Sequence, residues 1–249
     1  IRDIELPREW QKDLKLFCDD IGIEFMSTPF DEKAVEELVS LGVKRLKIAG
    51  FESTDPRFVR MVAKAGLPII ASAGIGSNLE SVQNIINWIS LEQINPEITI
   101  LHCNNAYPTP DDDINLNRID SLIKQHPDIN FGLSDHTEGI LAPALAVAKG
   151  ATCIEKHFTI SKRLPGPDHP FALEPESLKN MIQQIRVAEK MCVDSNKCLT
   201  SSEESFSKAM RSVVALKEIG EGEVFTEKNI TTKRPFIEGS LHASFYYDV

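Results

Sequence analysis

Short apolar runs alternate with longer amphipathic segments along the chain as far as Val193. The runs have the length of buried strands, and the segments between them carry apolar residues at helical spacing. Strands are predicted at 22–27, 45–49, 68–72, 98–102, 129–133 and 151–154, and helices at 7–20, 31–41, 55–65, 78–90, 116–125, 139–149 and 175–191, with Asp31 and Asn78 as N-caps. Strands that alternate with helices form parallel sheets with crossover connections, so the pattern predicts an α/β fold built from βα units.

The order of these elements is typical of a TIM (β/α)8-type barrel, which has eight βα units. Six units are predicted here, and we expect the first two strands to be missing, because the chain has no initiator Met and opens directly into a predicted helix. We assign 1–195 to a partial barrel, 196–210 to a Ser-rich linker and 211–249 to the start of a small β-rich module. The chain is expected to be a fragment of a longer protein.

Composition excludes several classes of protein. The 249 residues carry a formal net charge of −10, which argues against nucleic-acid binding, although local lysines can still attract small anions. No apolar run approaches the ~20 residues that a membrane span requires. The five cysteines form no CxxC pair, so reduced thiols and a cytoplasmic location are expected.

Two histidines hold matching positions at the ends of consecutive predicted strands. His136 lies in Gly-Leu-Ser-Asp-His-Thr (132–137) and His157 in Ile-Glu-Lys-His-Phe-Thr (154–159). The carboxyl ends of barrel strands form the active site, and two convergent imidazoles can hold a divalent metal with positions open for substrate. The spacing alone leaves open whether these two residues bind a metal together.

Other polar side chains also collect at the predicted strand ends. Lys47 stands between apolar residues and is expected to point into the barrel. A cation with hydroxyl and amide donors suits a phosphate or carboxylate, whereas any single strand-end hydroxyl is more often a loop cap. The residues concerned are Ser27, Thr28, Lys47, Ser72, Asn104, Asn105 and Ser134. His102 and Cys103 are expected to pack rather than to act, and the Asp111–Asp113 run lacks the Gly and closing Glu of an EF-hand.

Six runs match one known family in order and spacing. They are Ser27-Thr-Pro-Phe-Asp31, Leu46-Lys-Ile-Ala49, Leu101-His-Cys-Asn104 with Tyr107-Pro-Thr-Pro110, Gly132–Thr137, Glu155–Thr159 and Pro165-Gly-Pro-Asp-His169. With these runs the chain resembles the N-acetylneuraminate (sialic acid) synthase family, which includes the legionaminate and pseudaminate synthases. The stretch from Arg211 to Pro235 resembles the start of that family's antifreeze-like (SAF) domain.

The resemblance implies an enzyme that condenses phosphoenolpyruvate with an N-acylated amino-sugar aldehyde, giving a nonulosonic acid and phosphate. It implies Mn²⁺ or Mg²⁺ on His136 and His157, and it makes these two residues, Lys47 and Asp168 the catalytic set. Phosphoenolpyruvate would be bound by Thr28, Lys47, Ser72, Asn105 and Ser134, and the amino sugar by Tyr107 and Asp168. Arg234 would reach the active site of a partner subunit, which implies a domain-swapped homodimer.

Departures from the family pattern keep alternatives open. The family's first two strands, with a glutamate and a Lys-x-Gln run, are absent, Gly50 replaces a serine, and Phe236-Ile-Glu-Gly239 replaces the usual Gly-x-Gly. The alternatives are a non-catalytic barrel remnant or scaffold, and another phosphoenolpyruvate- or aldol-type barrel enzyme. The Pro165–His169 run and the SAF-like tail argue against the latter. The sequence does not fix the amino-sugar substrate.

Overall fold

Five parallel strands form the centre of the first of two units into which the chain divides, Ile1–Val193 and Asp194–Val249. The computed structural model describes residues 6–193 and 199–249. The strands lie in sequence order in one sheet: β1 (Leu46–Ile48), β2 (Ile69–Ala73), β3 (Ile98–Cys103), β4 (Asn130–Asp135) and β5 (Cys153–Lys156). The predicted parallel α/β architecture is therefore confirmed for this unit.

Helices alternate with these strands close to the predicted positions. They are α1 (Trp10–Ile21), α2 (Glu32–Ser40), α3 (Pro56–Ala63), α4 (Leu79–Ser90), α5 (Asn117–Gln125), α6 (Leu141–Ala148) and α7 (Pro175–Met191). Both predicted N-caps are confirmed: Asp31 accepts a hydrogen bond from the Ala34 amide, and Asn78 forms a capping box with Ser81. Each cap satisfies an amide that would otherwise lack a partner at the helix start.

The two faces of the sheet differ in character. The outer face, which packs against the helices, carries buried apolar residues such as Ile48, Ile69, Ile100 and Leu133. The inner face follows from the register, which aligns Cys103 with Ser134 and Ser134 with Glu155. Lys47 of β1 contacts Glu155 of β5 although these are the two edges of the sheet, so the sheet is strongly curved.

The predicted strand at 22–27 is wrong, and the sheet has five strands rather than six. Within the described residues, the 23–30 segment is irregular and donates no backbone hydrogen bond to β1. It is held by side chains instead, with Arg45 Nε donating to Glu24 Oε1 at 2.6 Å. Ile23 and Phe30 are 60% and 62% exposed. A strand gains stability from ladder partners, and this segment has none among the described residues, although Phe25 packs against the core.

The second unit contains a two-stranded antiparallel sheet, β6 (Ser212–Ala215) with β7 (Ile230–Lys233). Ser212 is fully buried, and its hydroxyl lies 2.6 Å from that of Ser240. The predicted linker region includes the short helix α8 (Ser201–Glu204), while residues 194–198, with Cys198, lie outside the described residues. The domain boundaries and the SAF assignment stay predictions.

Four cysteines, Cys18, Cys103, Cys153 and Cys192, are free thiols, as expected for their sequence spacing. Of the helices in the described part of the chain, none combines the length and the apolar character that crossing a membrane requires.

Candidate active site

A cluster of charged and hydroxyl groups occupies the inner face where the strands end. Lys47 is 4% exposed, and its Nζ donates to Ser72 Oγ at 2.8 Å and to the Ile48 carbonyl at 3.1 Å. The same Nζ lies 3.3 Å from Glu155 Oε2, and Ser134 Oγ donates to Glu155 Oε1 at 2.6 Å. The buried ammonium is therefore compensated by one carboxylate and two oxygen acceptors, as a buried charge requires.

Glu155 is a site residue that the sequence interpretation did not assign. It lies two positions before His157, and alternate residues of a strand share a face. That spacing could have placed it on the inner face. Its pairing with Lys47 could not have been read from the sequence, because it depends on the curvature that brings β5 to β1.

His136 and His157 lie together just beyond the inner-face cluster. Their ring centroids are 5.2 Å apart with an interplanar angle of 67°. His136 Nδ1 lies 2.6 Å from the Asn104 carbonyl oxygen, which can only accept, so Nδ1 carries the proton and Nε2 keeps a lone pair. His157 Nδ1 lies 3.5 Å from Asp168 Oδ2.

Burial lowers the pKa of His157 below its ordinary value, against the opposing attraction of the Asp168 carboxylate. The neutral imidazole is the form that binds metal. An acceptor at the far ring nitrogen is also the usual arrangement of metal-binding histidines. Across residues 6–193 and 199–249, no three His, Cys, Asp or Glu side chains converge as a metal cluster, so a metal here would take only two imidazoles from this chain.

A buried ion pair lies on the outer face directly beside the site. Lys156 Nζ is 2.7 Å from Asp135 Oδ2, and the two side chains are 3% and 0% exposed. The other Asp135 oxygen accepts from the amide and the hydroxyl of Thr137 at 2.9 and 2.8 Å. Each partner directly precedes one of the two histidines, so this pair fixes the backbone from which both imidazoles project.

Tyr107 and Asn105 form the wall next to the histidines. The Tyr107 ring centroid is 4.3 Å from that of His136, and Asn105 Nδ2 donates to the Tyr107 hydroxyl at 3.3 Å. Burial raises the pKa of Tyr107, so this hydroxyl stays protonated and can donate.

Two glycines make room for the Asn105 amide. A Cβ on Gly74 would lie 1.9 Å from Asn105 Oδ1, and one on Gly50 would lie 2.9 Å from it. Asn105 thus fills the space above Gly50, the position where a serine was expected.

The structure brings together most, but not all, of the predicted site residues. Contacts link Lys47, Ser72 and Ser134 through Glu155. A second group of contacts links Asn105, Tyr107, His136, His157 and Asp168. Thr28 lies in the irregular 23–30 segment, and none of the hydrogen bonds among the described residues joins it to this cluster. Arg234 is an exposed residue of the second unit. Their roles stay predictions.

The chain is similar to proteins of one known family. The model of the NeuB family matches residues 1–197. N,N'-diacetyllegionaminic acid synthase of Campylobacter jejuni is 40% identical over 237 residues, covering 94% of this chain and 70% of the relative. Pseudaminic acid synthase of the same species is 37% identical over 243 residues, covering 98% and 69%.

A solved structure shares the fold. N-acetylneuraminic acid synthetase of Leptospira borgpetersenii, determined in complex with citrate, aligns with a TM-score of 0.75 at 29% identity, covering 81% of this chain and 70% of the other. The match of the family model over most of the chain, and the identities to full enzymes, confirm the resemblance inferred from the six runs. The chain belongs to the NeuB family.

Proposed function

We propose that this chain is a synthase that condenses phosphoenolpyruvate with an N-acylated amino-sugar aldehyde, giving a nonulosonic acid and phosphate. The observation that carries the proposal is that two groups of side chains lie at the carboxyl ends of the same strands. A buried cation with hydroxyl donors suits an anion, and the two imidazoles lie beside it. Relatives named as legionaminic and pseudaminic acid synthases support the reaction class.

Lys47, Ser72 and Ser134 would bind the phosphoenolpyruvate anion. Without ligand, the Lys47 charge is compensated by Glu155. A phosphate or carboxylate oxygen would give Nζ a second anionic partner and would accept from the two hydroxyls, which are strong charge-assisted contacts. Asn105 and Thr28 are proposed as further donors to this substrate.

Carbon–carbon bond formation would begin with attack of C3 of phosphoenolpyruvate on the aldehyde carbon. The aldehyde oxygen takes up a proton and becomes a hydroxyl, while water adds at C2 and loses a proton. The tetrahedral intermediate then expels phosphate by C–O cleavage, which leaves a ketone at C2. Glu155, the carboxylate of the inner-face cluster, would accept the proton that water loses. Tyr107 and Asp168 would orient the sugar hydroxyls.

A divalent metal, Mn²⁺ or Mg²⁺, is proposed on His136 and His157, where it would polarise the sugar aldehyde as a Lewis acid. The neutral state of the His157 ring and the acceptors that face each Nδ1 fit this role. Asn104 and Asp168 would then hold the two rings in orientation.

The test is release of inorganic phosphate from phosphoenolpyruvate in the presence of a panel of N-acylated amino-sugar aldehydes. We expect release that needs both substrates and a divalent metal, and that His157→Ala lowers at least about 10-fold, since loss of even a residue that supports a metal ligand typically costs about 10–100-fold. His126→Ala, at the end of α5, is the matched control and should leave the rate unchanged. A folded protein that releases no phosphate with any aldehyde, or a His157→Ala variant with normal turnover, would refute the proposal.

We also propose that Arg234 serves the active site of a partner subunit. Guanidinium suits an acyl carbonyl because its fixed fork donates while it keeps its charge. If sites are shared between subunits, a mixture of inactive Arg234→Ala and inactive His157→Ala chains should recover activity in mixed dimers. Absence of recovery in a mixture shown to exchange subunits would exclude this role.

A further inference from the structure

A cavity of about 350 Å³ lies between the loops that follow β2 and β3, and Asn104 and Asn105 are part of its lining. Its lining includes Ser77, Asn115 and Arg118. Lys47, Glu155, His136 and His157 do not line it. Asn105, which is proposed as a donor to phosphoenolpyruvate, also lines the cavity, so the cavity adjoins that site without including its buried cation.

Arg118 brings an uncompensated positive charge to this cavity. Its Nη2 donates to Ser77 Oγ at 3.1 Å, and Ser77 Oγ in turn donates to the Ala73 carbonyl at 2.9 Å. A guanidinium has five N–H donors, so most of them are not used by this contact. Among the described residues no carboxylate lies within 4.0 Å of Arg118, although Asp113 is part of the lining.

Burial alone shifts the pKa of the Arg118 guanidinium. It lowers the pKa of Arg118, and no acidic neighbour opposes the effect. Partial removal of a cation from water costs free energy unless an anion or sufficient acceptors replace the water. Arg118 is half-buried and the protein supplies it with one hydroxyl, so an anion in the cavity would add a partner of opposite charge.

The remaining lining suits an oxyanion. Asn115 is exposed at the cavity, and its side-chain amide has no hydrogen-bond partner among the described residues, so its Nδ2 is free to donate. Asn115 is held at φ 44°, a left-handed backbone conformation uncommon outside glycine. A planar guanidinium fork matches two oxygens of one phosphate group.

We propose that this cavity binds a small phosphate-class oxyanion between the Arg118 guanidinium and the Asn115 amide, as a second anion site of the protein. The same chemistry could be presented by free phosphate or by the phosphate group of a larger metabolite. Binding here does not require the condensation reaction proposed above.

Inorganic phosphate is the probe for the test. Its binding is measured by equilibrium dialysis of the protein, of Arg118→Gln and of Lys47→Gln, with Arg57→Gln as a control for an exposed arginine. We expect a phosphate-binding site that Arg118→Gln weakens at least tenfold and that Lys47→Gln and Arg57→Gln leave in place, whether or not phosphate also binds at Lys47. Phosphate binding that depends only on Lys47, or no saturable binding of phosphate to the unsubstituted protein, would overturn the proposal.

A second measurement tests the site without any substitution, for the case in which Arg118→Gln does not fold. The Arg118 guanidinium Nε–H resonance of the unmodified protein is followed by ¹⁵N NMR during a phosphate titration. A saturable shift supports the site, and a resonance that does not move overturns it. Competition by a sugar phosphate at lower concentration than inorganic phosphate would identify the larger metabolite as the source, whereas equal or weaker competition would favour free phosphate.

Discussion

Asp135→Asn should destabilise the first unit by about 3–5 kcal/mol, the cost typical of leaving one member of a buried ion pair without its partner. The two side chains are 0% and 3% exposed, so water cannot solvate the Lys156 ammonium once the carboxylate is gone. Lys156 would keep its contact with the Thr137 carbonyl at 2.5 Å, but a carbonyl does not neutralise a charge. For a unit of this size the loss corresponds to a fall in melting temperature of about 6–20 °C.

The assay is thermal unfolding followed by calorimetry, with two comparison variants. Arg57→Met breaks a surface pair with Asp55 whose side chains are 91% and 42% exposed, and it should leave the melting temperature nearly unchanged because water solvates both charges. The double variant Asp135→Leu/Lys156→Met removes both buried charges and should be more stable than Asp135→Asn alone. A loss below about 1 kcal/mol in Asp135→Asn would show that the pair is not the fixed support inferred here.

Three further outcomes follow from the site. Glu155→Gln should remove most phosphate release, because it deletes the carboxylate that faces Lys47 and Ser134, and unchanged turnover in steady-state kinetics would contradict this. Gly74→Ala should displace the Asn105 amide and lower the affinity for phosphoenolpyruvate. Gly220→Ala, whose Cβ would meet nothing within 4 Å, is the control and should have no effect. Equal Michaelis constants for phosphoenolpyruvate in the two variants would refute the packing argument. Burial lowers the pKa of His102, so the unfolded chain takes up a proton near pH 6.5 before the folded chain does, and stability should fall as pH drops through that value. In urea unfolding, the free energy of unfolding of His102→Asn should change less steeply with pH than that of the unsubstituted protein. Identical slopes would contradict this role of His102.

Local pattern determined the helices and most of the strands. The predicted helix 175–191 coincides with α7, and Asp31 and Asn78 cap their helices, because periodicity and capping depend on residues a few positions apart. The motif runs also determined the family, since their order and spacing are properties of the chain itself.

Tertiary structure alone decided how those elements meet. The 22–27 run has strand-like composition and yet stays irregular, because strand formation depends on a pairing partner that local sequence does not supply. The contact between Lys47 and Glu155 joins residues 108 positions apart across a curved sheet, and no spacing rule predicts it. The cavity beside Arg118 likewise exists only where two loops meet. Register, curvature and loop packing are set by contacts between distant parts of the chain, and these contacts determine which polar side chains share a site.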